Sequence, residues 1–331
     1  MSSERLSVGK LPAALLGELL AAAPANDASV VLGPAIGEDA AVVAVPDGAL
    51  VTATDPITLT SSDAGRYAVI INANDVAVTG ARPRWFQVAV LLPPGTDADH
   101  VRALFAEITG ALDELDATLV GGHTEVTPAV RQPVLVGQML GTVTTDRIVA
   151  SSGASAGDVL VQVGPVPVEG AAVLADGRRE DLTGLPDDLV ASAAGAAVEP
   201  GISVVDAALS AAAQGATAMH DPTEGGLAAG LHELADASGV RLRLSGGAVD
   251  WFAPGVAVCE ALGADPWATL ASGCLLATFP PEGVAAAVEA LRTAGHTAVQ
   301  LGVSEAGSGV LVDEVALPAP GRDEVARLLG D

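Results

Sequence analysis

Apolar positions along this chain follow two spacings, one of two residues and one of three to four. From Ala41 to Val45 and from Ala49 to Ala53, β-branched runs flank Pro46-Asp47-Gly48, which predicts a β-hairpin. Phe86 to Leu92 and Pro133 to Val143 read as further strands, and Thr118–Val120 as a short strand feeding a Gly121-Gly122-His123-Thr124 turn. Helical spacing predicts a first helix from Leu11 to Ala23, opened by Pro12 and ended by Pro24, and a second from Asp97 to about Asp116 with an acidic start suited to its dipole. Beyond residue 151, strand patterns at 158–163, 217–219, 240–244, 274–279, 297–303 and 308–312 mix with Ala-rich helical patterns at 169–177, 187–198, 202–214, a segment ending near Ala237, and 281–294. Strands and helices do not alternate strictly, so an α+β architecture with mixed sheets is expected rather than a doubly wound one. The small-residue stretch Ser151 to Gly157 is the expected boundary between a domain at 1–150 and one at 151–331.

One segment breaks the pattern. Ile70 to Pro83 is apolar on nearly every side of a helix, which predicts burial, yet Asn72, Asn74, Asp75 and Thr79 lie within it. A buried carboxylate is costly unless it is paired or bound to a cation. No basic residue falls between Arg66 and Arg82, so no helical neighbour neutralises Asp75. The segment reads either as a half-exposed helix or as an active-site helix presenting Asp75 to a cation.

Composition narrows the partners. Half of the 331 residues are hydrophobic and only four Phe, three Trp and one Tyr are aromatic, so the core must be built from Ala, Val, Leu and Ile. Fifteen basic against 41 acidic residues give a formal charge of −26, which argues against nucleic acid or an anionic membrane as partner. Lys10 is the sole lysine, so phosphate binding would rest on Mg²⁺, backbone N–H groups and a few arginines, with Arg66, Arg82 and Arg84 flanking the central helix. No apolar run approaches the roughly 20 residues of a membrane span, and Met-Ser-Ser-Glu-Arg lacks signal-peptide character; a cytoplasmic protein is expected. Cys259 and Cys274 have neither framework nor metal-ligand spacing.

Phosphate-loop, dinucleotide, nucleophile-elbow and His-Glu-x-x-His signatures are all absent. What recurs is an acidic residue beside Gly, Asn or Thr where a strand ends: Gly37-Glu38-Asp39, Thr54-Asp55-Pro56, Gly122-His123-Thr124-Glu125 and His220-Asp221-Pro222-Thr223, with Asn74-Asp75 as the helical member. Hard oxygen ligands on strand ends and glycine turns suit Mg²⁺ and triphosphate. Carboxylates would hold metal, while N–H groups at Gly121-Gly122 and Gly225-Gly226 approach phosphate oxygens.

This ordered set resembles the superfamily of aminoimidazole ribonucleotide (AIR) synthetase, HypE, selenophosphate synthetase and thiamine-monophosphate kinase. Gly37-Glu-Asp-Ala-Ala-Val, Thr54-Asp55, Asn74-Asp75-Val-Ala-Val-Thr-Gly80-Ala, Gly121-Gly-His-Thr, Asp221-Pro-Thr-Glu-Gly-Gly-Leu and Ala271-Ser-Gly-Cys-Leu-Leu-Ala carry the resemblance, which spans about residues 8 to 315 and looks closest to HypE-like proteins. It implies a two-domain α+β protomer whose N-terminal sheets pair in a homodimer, with ATP and Mg²⁺ in a cleft closed by the second domain. By motif position it implies Asp39, Asp55, Asp75 and Asp221 as metal ligands, Asp75 and Asp221 as catalytic, and Asn74, Gly121, Gly122, Thr124 and Gly225 as nucleotide contacts. The implied activity is ATP-dependent phosphoryl transfer to a small-molecule or protein-borne acceptor oxygen or amide.

The matches are not complete. No cysteine follows Cys274, whereas HypE carries at its C-terminus the carboxamide it dehydrates, which counts against nitrile formation. His123 replaces an Asp frequent in the Gly-Gly-Asp-Thr turn, and Val163-Gly-Pro-Val-Pro-Val-Glu169 lacks a lysine common in HypE-like proteins. Thiamine-monophosphate kinase activity and a non-catalytic nucleotide-binding regulatory dimer are the alternative readings.

Overall fold

The computed structural model describes residues 29–32, 35–38, 40–58 and 63–330. The predicted Leu11–Ala23 helix, Lys10 and Asp39 lie outside them. The first half holds strands β1 (Val30–Leu32), β2 (Ala41–Val45), β3 (Gly48–Ala53), β4 (Pro56–Ile57), β5 (Arg82–Leu92), β6 (Thr118–Val126) and β7 (Val134–Val143), with helices α1 (Ala64–Ala77) and α2 (Ala98–Glu114). Its sheet runs β1-β2-β3-β7-β5-β6, with β4 also on β7, and only the β5–β6 pairing is parallel. The expected hairpin forms with Val45 opposite Gly48, and Asp47 takes the left-handed backbone (φ 69°) that such a turn requires.

The second half holds β8 (Val159–Val163), β9 (Ala218–His220), β10 (Val240–Leu244), β11 (Leu275–Phe279), β12 (Ala298–Ala306), β13 (Gly309–Val312) and β14 (Val315–Ala316). They form a sheet in the order β14-β13-β10-β12-β8-β11-β9, mixed through its parallel β10–β13 pair. Helices α3 (Glu169–Gly177), α4 (Asp187–Ala194), α5 (Val205–Ala213), α6 (Gly226–Ser238), α7 (Ala253–Leu262), α8 (Val284–Thr293) and α9 (Glu324–Leu329) surround it. The expected α+β, two-sheet organisation is therefore what the chain adopts. Among the described residues no single helix is long and apolar enough to cross a membrane.

Several elements depart from expectation. The helix expected over 187–198 stops at Ala194, because Pro200 cannot continue a helix and Glu199 turns to an extended conformation (φ −139°). Helix α7 was not signalled by periodicity, since its sequence is apolar almost all round. Strand β6 runs on through the supposed glycine turn to Val126.

Every residue of α1 except Arg66 is buried. The helix lies between two partners. On one side it meets β7 so closely that a Cβ on Gly137 would sit 2.4 Å from Asn72 Nδ2, and one on Gly141 2.5 Å from Val76 Cγ1. On the other it joins a core that crosses between the halves, in which Ile70 and Val76 belong with Ile202, Val205 and Ala208. A helix covered on both sides shows no amphipathic stripe, which is why its apolar residues surround it.

Candidate functional site

Around α1 several polar residues hold the backbone in place. Asn72 is a backbone clamp. Its Oδ1 accepts from Asp55 N–H at 2.8 Å, and its Nδ2 donates to the carbonyls of Ala68 (2.8 Å) and Asp55 (3.3 Å). Gly137 N–H also donates to the Asp55 carbonyl at 3.0 Å. Asp55 is thus held by its main chain, which positions its side chain. Asp75 lies one helical turn beyond Asn72, on the same side of α1, and is only 7% exposed.

Asn74 proves to be a bridge between the halves. Its Nδ2 donates to the Ile202 carbonyl at 2.8 Å and its Oδ1 accepts from Val204 N–H at 2.9 Å, all buried. Both ends of the amide, implied by motif position as a phosphate or ribose contact, are thus engaged in satisfying two main-chain groups stripped of water. Replacing Asn74 by Ala orphans both groups at about 1–3 kcal/mol each. Urea unfolding of Asn74→Ala is expected to show a loss of roughly 2–6 kcal/mol; an unchanged midpoint would refute the bridge.

The glycine sites are also rearranged. Gly121, Gly122 and Thr124 lie within β6, on the edge of the sheet and parallel to β5, and every residue of that strand is exposed. They form an open strand and not a turn, with His123 Nε2 lying 3.4 Å from Glu125 Oε2. Gly225 does adopt the left-handed conformation (φ 87°) ahead of α6, but its N–H donates to Asp323 Oδ2 at 2.7 Å. A protein carboxylate stands where a phosphate oxygen was expected. Asp323 also caps α9, accepting from Val325 N–H at 2.7 Å, and burial pushes its carboxyl up to about 6 despite these two donors.

Asp221 follows β9 and is 1% exposed. Beside it, buried His220 places Nε2 3.0 Å from Glu233 Oε2 of α6. Glu38 accepts from Ser151 and Ser152 N–H at 3.2 Å each, tying the first half to the start of the second. Arg66, a candidate phosphate partner, instead pairs with Glu114 of α2 at 2.7 Å. Arg82 and Arg84 are exposed on β5, the latter 4.8 Å over the Trp85 ring. Cys259 and Cys274 are buried free thiols; burial raises Cys259 to about 11 and Cys274 further, so both stay protonated and pack as small hydrophobes.

Glu169, the first residue of α3, went unrecognised in the sequence. It is 7% exposed, and burial pushes its carboxyl up to about 7; the Ser272 hydroxyl opposes the shift, while Asp323 and Asp55 add to it. Burial first, then Glu169, also raise the Tyr67 hydroxyl of α1 well above its ordinary range. Glu169 therefore lies within electrostatic reach of Asp55 and Tyr67 of the first half. The signal was available: Glu169 is the lone charged residue between Val159 and Leu174, the criterion that singled out Asp75.

Among the described residues no three His, Cys, Asp or Glu side chains converge as a ready-made metal cluster. Asp39 lies outside them, and Asp55, Asp75 and Asp221 do not form one by themselves. Mg²⁺ does not require such a cage, since it keeps several waters and takes one or two carboxylates plus substrate phosphates. Buried hard carboxylates such as Asp75 and Asp221 fit that mode of binding.

Residues 37–143 match the AIR synthase related protein N-terminal domain, and residues 155–313 match the corresponding C-terminal domain. The chain belongs to the AIR synthase superfamily. It is 31% identical to carbamoyl dehydratase HypE of Rhodobacter capsulatus over 76% of this chain and 74% of that protein. It is 34% identical to thiamine-monophosphate kinase of Mycobacterium tuberculosis over 74% of this chain and 73% of that one. In fold it matches the hydrogenase maturation protein HypE solved in complex with ATP, with a TM-score of 0.68 and 24% identity over 89% and 92% of the two chains. The chain is thus a HypE-like enzyme of the AIR synthase superfamily.

Proposed function

We propose that this HypE-like enzyme uses ATP and Mg²⁺ to activate an acceptor oxygen or amide by phosphoryl transfer, with a domain at 1–150 supplying most of the nucleotide site and one at 151–331 closing over it. The observation that carries this reading is the burial of Asp75 and Asp221, two carboxylates on different halves, in a fold shared with an ATP-complexed relative. Asp55, Asp75 and Asp221, with Asp39 outside the described residues, would hold Mg²⁺, which supplies charge neutralisation for the triphosphate. Asn72 fixes Asp55, and the Asn74 bridge holds the second half against α1, so the chain's own contribution is to position the reactants and exclude water.

Strand β6 supports a homodimer. Among the described residues it is an edge strand in which Leu119, Val120 and Val126 are exposed, and such an edge invites pairing with a second copy. Gly121, Gly122 and Thr124 would then lie at the subunit boundary, within reach of nucleotide.

The test is ADP formation that depends on an added acceptor. Turnover is expected with an amide or hydroxyl acceptor, small or protein-borne, in the presence of Mg²⁺. Turnover with thiamine monophosphate instead would assign the kinase activity of the M. tuberculosis relative. Nucleotide binding without turnover, across amide, hydroxyl and phosphate acceptors, would sink the enzyme reading in favour of a regulatory dimer.

A further inference from the structure

Asp221 is carried by a slight support. Strand β9 has only three residues, and among the described residues it pairs with β11 alone, at the edge of the second sheet. The end of so short an edge strand frays unless something else holds it, so a carboxylate just beyond it keeps a fixed place only with further anchors.

Helix α6 provides two. His220 Nε2 lies 3.0 Å from Glu233 Oε2, the two side chains being 4% and 24% exposed. One turn earlier on the same helix, Gly230 receives the Pro222 ring: a Cβ there would lie 2.7 Å from both Cβ and Cγ of the proline. Positions 230 and 233 share a helix face, so the residues on either side of Asp221 are pinned to one face of α6. Thr223 is tied as well, its carbonyl accepting from Gly226 N–H at 3.0 Å and from Ala271 N–H at 3.2 Å.

Glu233 also meets the first half. Gly37 takes the left-handed conformation (φ 83°) and lies so close to α6 that a Cβ on it would stand 2.9 Å from the Glu233 carbonyl oxygen and 3.1 Å from Ala237 Cβ. The next residue, Glu38, accepts from Ser151 and Ser152 N–H. One residue of α6 thus touches the Asp221 turn through its side chain and the Gly37 turn through its main chain.

We propose that His220 and Glu233 are positioning residues of the metal site. Their contact fixes Asp221 through the main chain and sets its place relative to the Gly37–Glu38 turn of the other half. This role rests on the reading above in which Asp221 holds Mg²⁺. Mg²⁺ demands near-ideal octahedral geometry with oxygens at about 2 Å, so a carboxylate that drifts binds it poorly. Acting through Asp221, the pair governs affinity for the metal and not for the nucleotide once metal is bound.

The test is calorimetric titration of the full-length protein with a non-hydrolysable ATP analogue over a series of Mg²⁺ concentrations. Glu233→Ala and His220→Leu break the contact from either side, so either suffices should the other fail to fold. Each is expected to raise the Mg²⁺ concentration for half-maximal binding roughly tenfold to a hundredfold, while saturating Mg²⁺ restores the wild-type affinity for the analogue. Glu233→Gln keeps an acceptor oxygen in place and is expected to recover most of the loss. Glu233→Ala combined with Asp221→Asn is expected to cost no more than Asp221→Asn alone, because a residue that acts through another is not additive with it. Wild-type Mg²⁺ dependence in both contact-breaking variants, or a loss that adds in full to that of Asp221→Asn, would overturn the positioning role. So would weakened binding that saturating Mg²⁺ does not restore, which marks the pair as structural. If Asp221→Asn itself keeps the wild-type Mg²⁺ dependence, Asp221 is no metal ligand, and that part of the functional reading fails together with this role. If wild type binds no analogue at any Mg²⁺ concentration, the phosphoryl-transfer reading fails as a whole.

Discussion

Asp75→Asn is expected to abolish Mg²⁺-dependent nucleotide binding while leaving the fold intact. Loss of partners that merely orient a metal ligand typically costs 10- to 100-fold in affinity, so loss of a ligand should cost at least about a hundredfold. The fold should survive because Asn matches Asp in size and removes a charge from a position only 7% exposed. Titration with Mg²⁺ and an ATP analogue gives the first readout, and urea unfolding without ligand the second. Undiminished nucleotide binding would remove Asp75 from the site. Weakened binding together with a destabilised fold would mark it as a structural residue instead.

A second large effect concerns pH. Glu169 titrates near 4.5 when free of the fold and near 7 within it, and Asp323 shifts from 3.8 to about 6. Both folded values are raised, so the folded protein takes up protons before the unfolded chain does. Above about pH 7 both groups are ionised in both states and the cost of burying the charges is fully present. As pH falls through 7 and then 6 this cost is relieved, and the gain is complete only below 4.5 and 3.8. At about 1.4 kcal/mol per pKa unit, each group contributes roughly 3 kcal/mol. Stability should therefore rise from pH 8 toward pH 5, against the usual trend for paired carboxylates. Relief of the −26 net charge acts in the same direction, so the control is the variant and not the slope alone. Glu169→Gln should be more stable than wild type at pH 8 and lose its share of the pH dependence. Parallel curves for the two proteins would show that Glu169 carries no such cost.

Asp323 shows how the same buried chemistry can serve two ends. Its carboxylate binds the Gly225 N–H at 2.7 Å, occupying an amide that the glycine pattern alone offered to phosphate. A left-handed Gly-Gly turn ahead of a helix is a place for an anion, and the nearest anion in this chain is its own. Nucleotide binding at Gly225 would require Asp323 to leave, which makes that glycine a poorer candidate than its sequence context suggested.

Much of this protein was legible in its sequence. The hairpin at 41–53, the strands at 86–92 and 133–143 and the helix near 97–116 follow from local periodicity and turn chemistry, which act over a few residues. The burial of α1 was legible too, from apolar residues on all its sides, and so was Asp75 as its anomalous charge. Tertiary structure decided what the polar residues do. Asn72, Asn74 and Asp75 look alike as polar residues in one apolar helix, yet one clamps Asp55, one bridges to Ile202 and Val204, and one is a buried carboxylate. Partners 17, 128 and 130 positions away leave no trace in local spacing. The same holds for Gly225, whose partner Asp323 is 98 residues distant, and for Glu169, whose raised carboxyl follows from its burial and from the distant Ser272, Asp323 and Asp55. Periodicity records which face of an element is buried. Which atom satisfies a buried polar group is settled only when distant segments pack, because the cost of leaving it unsatisfied arises only once water has been removed.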